Sequence, residues 1–143
     1  MRKLRTELIY SKIKELSNSI SFIEEFLPSD EKDLDDRGTS NKLYKEVEYA
    51  IQLVIDICSI INSDTSKETP SDEDSIFLSL VNNKIISKEI GDKIIEMKGF
   101  RNVLVHKYGK INNGEAYENV SQGLKDFERI IEEIEAFLVK SKK

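Results

Sequence analysis

A segment near residue 100 carries three polar side chains whose types and spacing could support chemistry on a phosphate. Arg101 lies five residues before His106, the chain's single histidine, and Tyr108 follows two residues later. A histidine titrates near neutral pH and can pass a proton in either direction. An arginine fork can hold a phosphate and offset the charge that builds on its oxygens. RNA cleavage without a metal needs a general base, a general acid and a group that stabilises the phosphate. One arginine and one histidine leave either the base or the acid unassigned.

The spacing also limits where these side chains can point. Residues five apart in a regular helix lie about 140° apart around its axis, so Arg101 and His106 do not share a face, whereas Arg101 and Tyr108 nearly do. A single copy therefore gives a poor active site. A symmetric dimer in which two such helices face each other would bring two arginines and two histidines to one cleft. The spacing thus favours a homodimer with a composite site.

Structural roles are an alternative for each of these residues. A histidine near a helix C-terminus can bond the last carbonyl groups, and a tyrosine at a helix end can simply pack. An arginine in a bundle can pair with a carboxylate such as Asp56, which itself could be either a plain exposed residue or part of a polar pocket. Residue types alone favour these structural roles over catalysis.

Composition restricts the class of protein and the kinds of site. The chain has 143 residues, which suits a single domain spanning 1–143, with 38% hydrophobic residues, six glycines, two prolines and a net charge of −5. That charge counts against tight nonspecific RNA binding but leaves room for a local basic site.

The single cysteine, Cys58, excludes an internal disulfide and is expected to be a buried inert thiol. We expect neither a metal site nor a cofactor. Without a long apolar run or signal region, the expected location is cytoplasmic, with no membrane partner.

Hydrophobic periodicity predicts an all-α fold, an antiparallel four-helix bundle with one extra short helix. The predicted helices cover residues 3–27, about 41–61, a short one through 76–81 capped by Ser71, one from Ser87 to near Tyr108 and Gly109, and about 115–139. The second helix is apolar around so much of its circumference that it is either the central helix of the bundle or part of a dimer interface. Residues 29–40, rich in acids, are interpreted as a solvated loop with possible helical turns rather than as a cation site.

The nine residues 100–108, FRNVLVHKY, resemble the core motif of HepT-like toxins of the HEPN ribonuclease superfamily. Residues 46–57, 85–87 and 111–117 also resemble the corresponding segments of that family, so the similarity covers roughly residues 4–138. The arginine-to-histidine spacing alone is a weak signal, whereas the nine-residue match in a helical context is specific.

The resemblance implies a homodimeric, metal-independent endoribonuclease toxin of a type II toxin–antitoxin pair. Arg101 and His106 would be catalytic, with Asn102 in support. The implied partner is a nucleotidyltransferase antitoxin that adenylylates Tyr108. This modification would add bulk and negative charge at the mouth of the cleft, where it would oppose RNA phosphates.

A second hypothesis is a noncatalytic helical binding subunit that docks a nucleotidyltransferase or binds a nucleotide. The acidic net charge favours this second hypothesis, whereas the combination of Arg101 and His106 favours the ribonuclease.

Overall fold

The computed structural model describes residues 3–106 and 110–142. These residues form five α-helices and one 3₁₀ helix, with no strand among them. The elements are α1 (Thr6–Phe26), the 3₁₀ helix (Glu31–Asp35), α2 (Arg37–Thr65), α3 (Glu73–Asn82), α4 (Lys88–His106) and α5 (Asn113–Ser141). The all-α prediction of four long helices and one short helix is confirmed. No helix in the described ranges is long and apolar enough to cross a membrane.

The second helix, α2, is the central helix of the bundle, as one of the two interpretations of its apolar surface predicted. It packs against α1, α3, α4 and the 3₁₀ helix. Its buried side chains therefore lie on several sides of the helix, and each large aliphatic one contributes about 1.5–3 kcal/mol by leaving water. The completely buried members on α2 are Leu43, Ala50, Val54, Ile57, Cys58 and Ile61.

The acidic segment before α2 contains the helical turn that the sequence left possible, but the prediction of a solvated loop through residue 40 is wrong for its last four residues, which belong to α2. The side chain of Asp36 accepts a hydrogen bond from the backbone N–H of Thr39 at 3.0 Å, and this cap starts α2 at Arg37 rather than near residue 41. Leu34, on the 3₁₀ helix, is buried in the core. Within the described ranges, no group of three or more His, Cys, Asp or Glu is arranged to hold a metal ion.

The far end of α2 also extends past its predicted limit, to Thr65 rather than residue 61. Asp64, in this added turn, has a completely buried side chain that accepts hydrogen bonds from the backbone and side chain of Arg5 at 3.0–3.1 Å. A buried carboxylate needs such a partner because leaving it unpaired in the interior is costly. The ion pair fastens the start of α1 to the end of α2.

The short helix α3 is capped by Asp72 and not by Ser71, so that prediction is wrong. The Asp72 side chain accepts from the Ser75 N–H, and the Ser75 hydroxyl oxygen accepts from the Asp72 N–H, which forms a reciprocal capping box. The predicted cap of the next helix is confirmed, because the Ser87 hydroxyl oxygen accepts from the Ile90 N–H at 3.2 Å. Helix α4 is described up to His106, and the predicted helix end near residues 108 and 109 lies outside the described residues.

Candidate functional site

The guanidinium of Arg101 is the centre of a polar network between three helices. It projects from α4 toward Gln52 on α2 and Glu73 at the start of α3. Its Nη1 donates to Gln52 Oε1 at 2.8 Å, and its Nη1 and Nη2 donate to the two carboxylate oxygens of Glu73 at 3.3 and 2.9 Å. The Arg101 side chain is only 14% exposed, whereas that of Glu73 is 37% exposed. The guanidinium is therefore held in a defined orientation close to the surface.

Asn102 contacts the edge of the same guanidinium that carries Nε and Nη2. Its Oδ1 accepts from Arg101 Nε at 3.3 Å and from Nη2 at 2.9 Å. The structure thus brings the predicted supporting residue into direct contact with the predicted catalytic arginine. A guanidinium has five N–H groups, and Gln52, Glu73 and Asn102 together accept from all five.

His106 is placed differently. It is the last described residue of α4, and its side chain is exposed and forms no hydrogen bond with the other described residues. Since α4 is continuous from Arg101 to His106, the two side chains point about 140° apart, as the spacing predicted. One protomer therefore does not bring the two residues together. The alternative role for His106, a cap on the last carbonyls, is not seen among the described residues.

Of two further residues singled out in the sequence, Tyr108 and Asp56, the structure describes only Asp56. Tyr108 lies outside the described residues. Asp56 is half-buried, and its Oδ1 accepts from Gln52 Nε2 at 2.9 Å, so it reaches Arg101 only through Gln52. The polar-pocket interpretation of Asp56 is thus closer to the structure than the exposed one, although its direct partner is an amide and not an arginine.

Two residues contact Arg101 from other helices and were not predicted as site residues, Gln52 and Glu73. They lie 49 and 28 residues from Arg101 in the chain. The one local signal was the four-residue spacing of Gln52 and Asp56 on α2, which lets an amide and a carboxylate meet on one helix face.

A pocket of about 780 Å³ lies beside the C-terminal end of α4, next to Leu104 and Ile111. Its wall has charges of both signs, contributed by Asp35, Arg37, Lys45 and Glu48. Tyr44 also lines it and donates its hydroxyl to Asn113 Oδ1 at 2.6 Å. Burial, with a smaller effect from the Asp35 carboxylate, raises the pKa of Tyr44 to about 12, so this phenol remains a hydrogen-bond donor at neutral pH.

A family model described as ribonuclease HepT-like matches residues 16–134, most of the chain. The chain belongs to this family. The family predicted from residues 100–108 is therefore confirmed, as is the prediction that the chain is a ribonuclease.

Curated and solved relatives agree with this family assignment. The chain is 25% identical over 130 residues to the mRNA nuclease HepT of Shewanella oneidensis, covering 91% of this chain and 98% of that protein. It resembles a toxin–antitoxin structure with AMP-PNP at a TM-score of 0.83 and 25% identity, covering 91% of this chain and 98% of the other. It also resembles the tri-AMPylated Shewanella oneidensis HEPN toxin in complex with the MNT antitoxin at a TM-score of 0.81 and 26% identity, covering 90% and 96%.

The fold extends to a more distant protein. YutE of Bacillus subtilis, described as a cytosolic protein of unknown function, superposes with a TM-score of 0.81 at 17% identity, covering 96% of this chain and 93% of that chain. This likeness concerns the fold alone.

Proposed function

We propose that the chain is a metal-independent endoribonuclease that acts as the toxin of a toxin–antitoxin pair. The observation that carries the proposal is the arrangement on α4, in a chain of the ribonuclease HepT-like family. A guanidinium is held in a fixed orientation by three side chains, and an exposed imidazole lies five residues later on the same helix. Arg101 would hold the scissile phosphate and stabilise its charge, and His106 would transfer the proton.

The proposed site is composite and belongs to a homodimer. Arg101 and His106 point about 140° apart, so one protomer cannot present both to the same phosphate without a change in α4. A second protomer, related by a two-fold axis, would supply the missing neighbour and also a second imidazole. One histidine could then remove the proton of the 2′-hydroxyl while the other protonates the leaving 5′-oxygen.

Cleavage of RNA by the purified full chain tests this assignment. With a fluorophore–quencher RNA of mixed sequence and EDTA in excess, we expect Arg101→Ala and His106→Ala each to reduce the rate by about 100-fold or more. Arg129→Ala is a matched control, because Arg129 also forms an ion pair with a glutamate of another helix, Glu89 of α4. Wild-type rates in either site variant, or a wild-type rate abolished by EDTA, would contradict the proposal.

The proposed partner is a nucleotidyltransferase antitoxin that adenylylates Tyr108. The support comes from the Shewanella oneidensis toxin, which is AMPylated and bound to the MNT antitoxin in its solved complex. In such a transfer the Tyr108 oxygen bonds to the α-phosphorus of ATP and pyrophosphate leaves. The added phosphate would repel the substrate at a site that must accept RNA.

Replacement of Tyr108 separates activity from neutralisation. We expect Tyr108→Phe to cleave RNA at close to the wild-type rate and to stay active after incubation with the antitoxin and ATP. Tyr49→Phe removes an exposed hydroxyl on α2 instead and serves as the control, which the antitoxin should still silence. Transfer of labelled AMP measures the modification directly. Equal labelling of Tyr108→Phe and the wild type would exclude Tyr108 as the acceptor.

One observation would also be expected of the second hypothesis, a noncatalytic binding subunit. All N–H groups of Arg101 are already bonded within the protomer, as in an arginine with a purely structural role. In that case Arg101→Ala would lower the unfolding temperature, and the purified wild-type chain would not cleave RNA.

A further inference from the structure

We propose that Gln52 is a positioning residue for Arg101 and that the Glu73 carboxylate occupies the place that a substrate phosphate takes. This inference rests on the proposed function of Arg101 and deepens it. It divides the guanidinium contacts into a fixed set, Gln52 and Asn102, and one exchangeable contact, Glu73. The substrate class is an anion with two oxygens spaced to fit a guanidinium fork, as in a phosphodiester.

The hydrogen bond from Arg101 to Gln52 is supported by a second hydrogen bond from Gln52 to Asp56. The Gln52 side-chain amide lies between Arg101 and Asp56, so its oxygen accepts from the arginine at 2.8 Å while its nitrogen donates to Asp56 Oδ1 at 2.9 Å. The second bond fixes which way the amide faces. Gln52 and Asp56 are four residues apart on α2, the central and most buried helix, so the support itself is rigid.

The contact to Glu73 is the one that can be released. Glu73 is the first residue of the short helix α3, and its side chain is more than twice as exposed as that of Arg101. An ionised carboxylate in the first turn of a helix is also stabilised by the helix dipole, so Glu73 stays favourable without its arginine. The pair is only partly buried, so water reaches the Glu73 carboxylate and reduces what the contact contributes to stability.

The geometry of the Glu73 contact matches that of a phosphate. Its two oxygens accept from Nη1 and Nη2, which form the end-on fork of the guanidinium. Carboxylates and phosphates both bind such a fork through two parallel hydrogen bonds. Release of Glu73 alone therefore frees two adjacent N–H groups, while Gln52 and Asn102 keep the other three and hold the plane of the guanidinium.

Two neighbours of one guanidinium should then have opposite effects when replaced. Glu73→Gln removes the competing charge at nearly constant shape, so we expect KM for RNA to fall about two- to fivefold with kcat unchanged. Gln52→Leu removes the support and leaves the guanidinium less well oriented, so we expect kcat to fall about tenfold with little change in KM.

Matched variants distinguish these effects from general ones. Asp74→Asn makes the same charge change one residue away and also breaks an ion pair between α3 and α4, because Asp74 pairs with Lys98. It should leave KM within about twofold of the wild type. For Gln52, the double change Gln52→Glu with Asp56→Asn keeps an oxygen that accepts from Arg101 and reverses only the bond between positions 52 and 56. It should recover most of the kcat lost in Gln52→Leu.

A binding measurement without turnover completes the test. A non-cleavable 2′-O-methyl RNA oligonucleotide, titrated by fluorescence anisotropy, should bind Glu73→Gln about two- to fivefold more tightly than the wild type. Equal tightening by Asp74→Asn would show a general charge effect and overturn the exchange proposal, as would unchanged or weaker binding by Glu73→Gln. Unchanged kcat in Gln52→Leu would remove the positioning role.

The outcomes also separate this inference from the proposed function. If Arg101→Ala keeps the wild-type rate, the catalytic assignment is wrong, and the proposed roles of Gln52 and Glu73 are wrong as well. If Arg101→Ala is inactive while Glu73→Gln and Gln52→Leu behave like the wild type, the ribonuclease assignment stands and the division of contacts around Arg101 is wrong.

Discussion

The thiol of Cys58 lies at the centre of the bundle, with no exposed surface. Burial raises its pKa to about 12 from an ordinary value of 9.0, because the thiolate would lose its hydration there. Its neighbours on α2, Ile57 and Val54, are equally buried. The prediction of a buried thiol is confirmed, and the raised pKa comes from its place in the core and not from any nearby charge. That the thiol is inert stays a prediction.

The raised pKa predicts a loss of stability in alkali. Above about pH 9 the unfolded chain releases the Cys58 proton while the folded chain retains it until about pH 12, so stability present below pH 9 falls between these values. Urea unfolding at pH 8, 9 and 10.5 should show that the wild type loses about 1–2 kcal/mol more than Cys58→Ala across this range. Tyr44 and the lysines contribute equally to both proteins and cancel in the comparison. An equal change in the free energy of unfolding with pH for the two proteins would contradict the assigned burial of Cys58.

Around the site, the sequence was informative only for residues close together in the chain. Arg101, Asn102 and His106 lie within six positions, so their spacing on a helix could be interpreted directly. Gln52 and Glu73 join the same network from α2 and α3, and only the packing of three helices brings them to the guanidinium. A glutamine and a first-turn glutamate are common surface residues, so nothing in their types marked them.

At the scale of elements, periodicity was sufficient to find the helices, and local hydrogen bonds decided where they begin. Asp36 and Asn112 each accept a backbone N–H three residues later, and α2 and α5 start earlier than predicted as a result. At α3, both Ser71 and Asp72 are residue types that cap helices, and the choice depended on the reciprocal bond to Ser75. The pattern of apolar residues does not indicate which polar residue caps a helix or at which residue the helix begins.

The junction of α3 and α4 depends on a close approach at Gly91. A Cβ added there would lie 2.5 Å from Cγ2 of Val81, whereas one added at Gly123 on α5 would meet nothing within 4 Å. We expect Gly91→Ala to destabilise the fold by about 1–3 kcal/mol, because the overlap outweighs the gain in helix propensity. Gly123→Ala, the control, should stabilise it by up to about 1 kcal/mol. Thermal and urea unfolding measure both, and a stabilised Gly91→Ala would show that the Val81 side chain or α3 shifts at little cost.

At the scale of the whole molecule, the question is how an inward-facing arginine and an outward-facing histidine act on one phosphate. Arg101 contacts side chains of α2 and α3, whereas His106 is exposed at the last described position of α4. A Cβ added at Gly99, on the same helix, would meet nothing within 4 Å, so another molecule can approach this surface closely. These features support the proposed site that a second copy completes.

Mixed dimers test the composite site directly. A dimer of one Arg101→Ala chain and one His106→Ala chain keeps one intact arginine and one intact histidine, each on a different protomer. If both protomers line one cleft, the mixed dimer should cleave RNA at least about tenfold faster than either variant alone, yet slower than the wild type, because the second histidine is missing. The two chains carry different affinity tags, and sequential purification followed by light scattering establishes that mixed dimers are present. If mixed dimers form but are no more active than the single variants, both groups must act from the same protomer, and α4 would have to change shape near His106 to bring them together.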